Sequence, residues 1–162
     1  MADGTHTHTH TYSVRIEWTG NRGTGTSGYR DYGREHTISA GDKPGIAGSS
    51  DAKFRGNADR WNPEDLLVAA ASACHELWYL HLCADAGIAV QRYVDDAVGT
   101  MVENAQGGHF TRIVLHPRVV IRAGDNAELA ARLHHQAHAM CYIANSVDFA
   151  IDCEPVIEAA EG

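Results

Sequence analysis

Two of the four cysteines, Cys74 and Cys141, stand where a pair of thiols could do chemistry together. Each falls on or near the face that apolar spacing turns inward in a stretch predicted to be helical, so packing the two helices together would let the sulfurs meet. A buried cysteine is most often a small hydrophobe. It becomes a nucleophile when a cation stabilises the thiolate, because an isolated thiol stays mostly protonated near neutral pH. The candidate cations are Arg22, Arg30 and Arg34, all within the glycine-rich run RGTGTSGYRDYGREHTIS, where glycine allows close backbone approach; the plainer reading makes them solvated strand residues. Histidine supplies a second candidate chemistry. His134, His138 and Cys141 recur at i, i+4 and i+7 on one helical face and with Cys74 could make a tetrahedral N/S metal site. The reading that leaves His134 solvated and binds no metal carries more weight. Cys83 and Cys153 read as packing residues, and the alternating His6, His8 and His10 lack the second-shell support of a metal site.

These side chains need elements to hold them. THTHTHTYSVRIEW alternates with period two from Thr5 to Trp18 and predicts a first strand, and the glycine-rich run after Thr19-Gly20-Asn21 predicts a second strand folding back on it. Gly41 to Arg60 has no sustained period and reads as a long surface connection, a length that is usually functional. The clearest element follows. Asn62 is a good N-cap, Pro63 suits the first helical position, Asp65 adds charge to the first turn and Gly87 suits a left-handed end, so a helix should run from about Pro63 to Ala86. Its middle, LLVAAASAC, is apolar around most of the circumference and marks a central, buried helix. Val90 to Glu103 and His109 to Arg122 predict two antiparallel strands around a hairpin loop at Asn104 to Gly108. A second helix should open at Asp125 with a capping box to Glu128, carry the stripe Leu129, Leu133, Ala137 and Cys141, and end near Asn145. Val147 to Ile157 predicts a last strand. The order β-β-α-β-β-α-β implies an α+β fold, read as one domain over 1–162.

Composition narrows the function. The chain has 162 residues, 21 Asp and Glu against 13 Lys and Arg, and a formal charge of −8 with no basic run, which disfavours nucleic acid. No apolar stretch long enough to span a bilayer and no signal sequence is expected, so a cytoplasmic protein with no membrane partner fits best. Four cysteines are too few for a disulfide scaffold, and in a reducing compartment they are buried thiols, ligands or redox-active groups.

At these residues the chain resembles a family. WNPEDLLVAAASAC is similar to the NPE-x-L…A-x-x-A-C signature of the OsmC/Ohr hydroperoxide reductases, AHAMCYIAN resembles their A-H-x-x-C signature followed by Asn, and NRGTGT resembles their RG-x-GT segment. The three matches occur in the family's order, from the first strand to the last. The chain departs from the pattern at His75, where an aromatic or apolar residue is common, and at Tyr142, where Pro is common.

The resemblance implies an OsmC-like α+β fold of antiparallel strands with two central helices, assembled as an intertwined homodimer. It implies a two-cysteine peroxidase without cofactor or metal, acting on organic hydroperoxides and reset by a dithiol reductant such as a lipoylated protein. By the same resemblance Cys74 is the peroxidatic thiolate, Cys141 the resolving thiol, Arg22 the activating cation and Glu64 the carboxylate that holds Arg22. Ten residues of helix put Glu64 about 15 Å from Cys74, so it must act through Arg22 or across a subunit boundary. The alternative is a non-enzymatic redox-sensing or metal-binding protein of the same fold. An organic substrate implies an apolar pocket over Cys74, lined partly by Leu77, Trp78 and the 41–60 connection.

Overall fold

Among the described residues of the alternating N-terminal run, the last four form a strand, β1 (Arg15–Trp18), where a partner strand supplies ladder hydrogen bonds. Residues 7–14 are exposed and outside any strand, and Thr5 and His6 lie outside the described residues. The computed structural model describes residues 7–161, and the chain divides into two compact units, Met1–Pro63 and Glu64–Gly162.

In the first unit β2 (His36–Ser39) pairs antiparallel with β1 and with β3 (Ile46–Gly48), aligning Ile16, Ile38 and Ile46 across the sheet. The second predicted strand thus shrinks to its last four residues. Residues 19–35 fold instead as successive turns, tied down where Gly33 N–H donates to the Gly20 carbonyl and Trp18 Nε1 donates to the Gly33 carbonyl. Gly20 is required at this crossing, because a Cβ there would lie 2.1 Å from the Gly33 carbonyl oxygen. The long connection holds β3 and a short 3₁₀ turn at Ala52–Phe54, whose first turn is capped when Asp51 Oδ1 accepts from Lys53 N–H.

The second unit opens with α1 (Pro63–Asp85), close to its expected span. Gly87, at φ +73°, ends it, and the Ile88 N–H to Cys83 carbonyl bond with Gly87 N–H to Ala84 closes a Schellman motif. Ala71, His75, Tyr79 and Cys83, four apart, form its buried face. By length and composition α1 is apolar enough to cross a membrane, which corrects the expectation that no stretch is. Few charges interrupt its alanine- and leucine-rich middle, yet one face is occupied by its own sheet.

Each predicted long strand is broken in two. β4 (Val90–Asp95) and β5 (Val98–Asn104) come from the first run, β6 (Gly107–Leu115) and β7 (Pro117–Ile121) from the second, β8 (Ala150–Cys153) and β9 (Val156–Ala159) from the last. The six halves form two three-stranded sheets, β4-β7-β9 and β5-β6-β8, so the upstream half of the first run joins the downstream halves of the other two. The hairpin β5–β6 and the β4–β7 pair are antiparallel as expected, whereas β8 and β9 run parallel to β6 and β7, so the sheets are mixed. A parallel return needs a crossover, and α2 (Ala127–Met140) provides it.

α2 starts later than expected. Asn126, not Asp125, is its N-cap, with Oδ1 accepting from Leu129 N–H at 2.9 Å. Asp125 is used elsewhere: its Oδ2 accepts from Ala89 N–H at 2.7 Å and its Oδ1 pairs with Arg122. The helix also stops earlier, with Cys141 as C-cap and Asn145 in a following 3₁₀ turn. The core has two parts. Ala71, Ile113, Leu115 and Ile151 pack over β5-β6-β8, and Tyr79, Cys83, Val119, Ile121, Leu133 and Ala137 pack over β4-β7-β9.

Candidate functional site

Cys74 lies midway along α1, half-buried, one residue round from the core-facing row. Cys141 is buried at the C-cap of α2, the last position of the stripe Leu133, Ala137, Cys141. The structure brings these two thiols together. Burial pushes the Cys141 thiol up to about 11, and its proximity to Cys74 adds to the rise, while N–H groups of Ala144 and Ile143 directed at the sulfur oppose it. Of these donors, Ala144 N lies 3.4 Å from Sγ. All four cysteines are free thiols.

Aromatic and apolar side chains flank the same stretch of α1. Tyr142, next to Cys141, packs edge-on against Trp78 at 5.7 Å, and Leu77, Trp78 and His81 line a hollow of about 300 Å³. Leu77 is 67% exposed and Tyr142 65% exposed, so this apolar surface is uncovered in a single chain.

The other predicted site residues are separated from the thiol pair along the chain. Glu64 is half-buried in the first turn of α1, ten residues before Cys74 on the same helix. Arg22 belongs to the first unit, exposed at the start of a loop that Asn21 Oδ1 organises by accepting from Gly23 N–H and Gly25 N–H. Arg30 is exposed as well. Arg34 has a structural occupation: it donates to the Tyr29 and Tyr32 carbonyls at 2.8 and 2.6 Å and lies 4.5 and 4.1 Å from their ring centroids.

The metal-type set that the sequence offers only as its lesser reading, Cys74, His134, His138 and Cys141, is not the one that assembles. His138 is exposed, whereas His134, expected in solvent, is 3% exposed and turns to His75 and Cys153. His75 Nε2 and His134 Nδ1 are 2.9 Å apart, and Cys153 Sγ lies 3.6 and 3.7 Å from them. Tyr79 stacks on His134, with the ring centroids 3.8 Å apart. Burial pushes the imidazoles down, to about 4 for His75 and about 3 for His134, and pushes the Cys153 thiol up to about 12, so without a ligand all three are neutral. Sequence reading missed this cluster because Cys153 reads as packing and its partners lie on other elements. The one available signal was His75, a polar residue in the buried i, i+4 row of an apolar helix.

Asp95 fixes the junction where the strands break. Its carboxylate accepts from Ser72 Oγ on α1 at 2.5 Å and from His116 N–H between β6 and β7 at 2.6 Å. It holds the middle of α1, and thus Cys74 and His75, against the sheet.

The chain matches the family model described as OsmC-like protein over residues 56–155. No curated protein matches the sequence. An OsmC-like protein of unknown function from Vibrio cholerae is similar at 28% identity and TM-score 0.80, covering 91% of this chain and 100% of that one. An organic hydroperoxide resistance protein from Legionella pneumophila is similar at 18% identity and TM-score 0.67, covering 94% and 99%. A putative organic hydroperoxide resistance protein from Vibrio cholerae, with captopril bound in one of its active sites, is similar at 22% identity and TM-score 0.64, covering 92% and 93%.

Proposed function

The chain belongs to the OsmC-like protein family, and from that premise we propose that it is a two-cysteine thiol peroxidase acting on organic hydroperoxides. The observation that carries this reading is the meeting of Cys74 on α1 with Cys141 at the end of α2, two thiols that the chain separates and the fold joins.

Chemically the cycle has three steps. The Cys74 thiolate attacks the distal peroxide oxygen, the O–O bond breaks, and Cys74 becomes a sulfenic acid while the alkoxide leaves and takes up a proton. The Cys141 thiolate then attacks the sulfenic sulfur, hydroxide leaves and is protonated to water, and a Cys74–Cys141 disulfide forms. An external dithiol, such as a dihydrolipoyl group on a protein, returns both thiols by exchange. Arg22 is proposed as the cation that favours the Cys74 thiolate, since a guanidinium stays charged at any working pH. Glu64 is proposed to position Arg22, because its place about 15 Å along α1 precludes direct action on Cys74.

Leu77, Trp78 and Tyr142 give the alkyl part of a substrate an apolar surface beside the thiols, and the same exposed surface suits burial in a homodimer. We treat the whole chain as one functional domain working in the reducing cytoplasm, where free thiols persist. No nucleic-acid or membrane partner enters the cycle.

The test is steady-state peroxide consumption with cumene hydroperoxide, tert-butyl hydroperoxide and H₂O₂, each with dihydrolipoamide or a monothiol. Each buried methylene contributes up to about 0.8 kcal/mol, so the bulky peroxides should exceed H₂O₂ in kcat/KM by about tenfold or more. Cys74→Ser should abolish turnover while the fold is retained. Turnover that survives Cys74→Ser overturns the reading.

A further inference from the structure

We propose that His75 Nε2, His134 Nδ1 and Cys153 Sγ form a binding site for a divalent cation of the zinc class, distinct from the Cys74–Cys141 pair. The three donor atoms converge from α1, α2 and β8 to within 4.8 Å of one another. Two imidazoles and a thiol are the ligand types a borderline-soft cation selects.

The spacing has the right dimensions. Zinc bonds of about 2.0–2.1 Å to nitrogen and about 2.3 Å to sulfur, set tetrahedrally, separate two nitrogens by about 3.3 Å and a nitrogen from the sulfur by about 3.6 Å. The two sulfur edges, 3.6 and 3.7 Å, already fit, and the nitrogens, at 2.9 Å, need to part by only about 0.4 Å. The fourth tetrahedral position is left to water. His134 and Cys153 line a cavity of about 520 Å³ whose walls include His138, Asp152 and Glu154, which gives the cation both a route and room for that ligand.

The setting favours a cation over the metal-free arrangement. Without metal the site is a polar cluster at the seam between the two parts of the core, which is costly to bury. Asp95 and Glu154 place negative charge near Cys153 and Asp95 near His75, a field that disfavours a bare thiolate and stabilises a bound cation. Binding transfers the thiol proton to solvent, and the hydrogen shared between the rings moves to an outer nitrogen, so one proton is released per cation. His75 Nδ1 and His134 Nε2 are buried without a protein hydrogen-bond partner. Lacking these second-shell acceptors, the site should bind about 10- to 100-fold more weakly than a fully supported one and yield its metal to a strong chelator.

The experiment uses the full chain, stripped with chelator and titrated with Co²⁺ as a spectroscopic probe, then with Zn²⁺ in competition. The expected result is a thiolate-to-metal charge-transfer band with intense tetrahedral d–d absorption, saturating at one Co²⁺ per chain and displaced by Zn²⁺. Metal on the N-terminal histidine row gives no thiolate band. Cys153→Ser should remove the band while Cys141→Ser keeps it, with circular dichroism checking the fold. A second measurement needs no variant: in the wild-type chain Zn²⁺ should slow alkylation of Cys153 by about tenfold or more, mapped by mass spectrometry, and leave Cys74 unprotected. A band that survives Cys153→Ser, a band lost in Cys141→Ser, or protection of Cys74 and Cys141 instead of Cys153 would each overturn the proposal.

Discussion

Cys141 is the proposed resolving thiol, yet its surroundings hold its proton tightly, and this has a measurable kinetic consequence. With a pKa pushed up to about 11 while Cys74 is reduced, against the ordinary 9.0, its thiolate fraction at neutral pH falls by at most about a hundredfold. A more basic thiolate is intrinsically more nucleophilic, by at most about six- to tenfold for such a rise, so the net penalty on resolution is at most about tenfold. Burial is the largest cause of the shift and persists after Cys74 is oxidised, whereas the contribution from the Cys74 thiol does not. Disulfide formation should therefore be the pH-sensitive step, rising about tenfold per unit from neutral pH to beyond the point where an ordinary thiol levels off. Rapid mixing with one equivalent of hydroperoxide, followed by quenching with a sulfenic-acid trap and mass spectrometry, reads both species against time. A resolution rate that is flat with pH, or that levels off near pH 8.5–9, would refute the argument, as would a Cys74–Cys83 bridge.

Four further outcomes follow from named contacts. Arg34→Ala should loosen the Tyr29–Tyr32 turn yet leave the alkylation rate of Cys74 unchanged, while Arg22→Ala should slow that alkylation; the reverse pattern would show the activating cation misplaced. Asn126→Ala, which removes the α2 cap, should cost about 1 kcal/mol in denaturant unfolding. Leu115→Ala, at a fully buried position over β5-β6-β8, should cost about 2–5 kcal/mol in the same assay. The Ala89 N–H bond and then Arg122 hold the Asp125 carboxyl below its ordinary 3.8, so its stabilisation is present above that pH and is lost as pH falls further. A titration of Tm against pH should lose that acid-side component in Asp125→Ala.

Features written in local sequence were legible, and features set by distant pairing were not. α1 was readable because Pro63 and Gly87 mark its ends within a turn, and the Cys141 stripe because its period is helical. The β5–β6 hairpin was readable from Asn104 to Gly108. The breaks at 96–97, at His116 and at 154–155 were not, because they mark where adjacent strands bend in register. Asp95 stands opposite Pro117 at one break, and Leu115 stands opposite Cys153 at another. Asp125 shows the same limit: a sound capping residue by type, it is drawn off by Ala89, thirty-six positions away, and its neighbour Asn126 takes the cap.

Cys74 and His75 show why one short motif led to one chemistry and hid another. Adjacent residues on a helix point about 100° apart, so the two side chains of α1 address different partners. Cys74 meets Cys141 at the end of α2, and His75 meets His134 two turns earlier on α2, with Cys153 brought up by β8. The departure at His75 from the usual aromatic or apolar residue looks in sequence like drift beside a nucleophile. In the fold it sits in the buried row between Ala71 and Tyr79, where a simple apolar side chain would have joined the two parts of the core without a polar seam. A polar residue held there at the cost of that packing supplies the α1 donor of the proposed set that α2 and β8 complete, which is why the peroxidase and metal tests use separate variants.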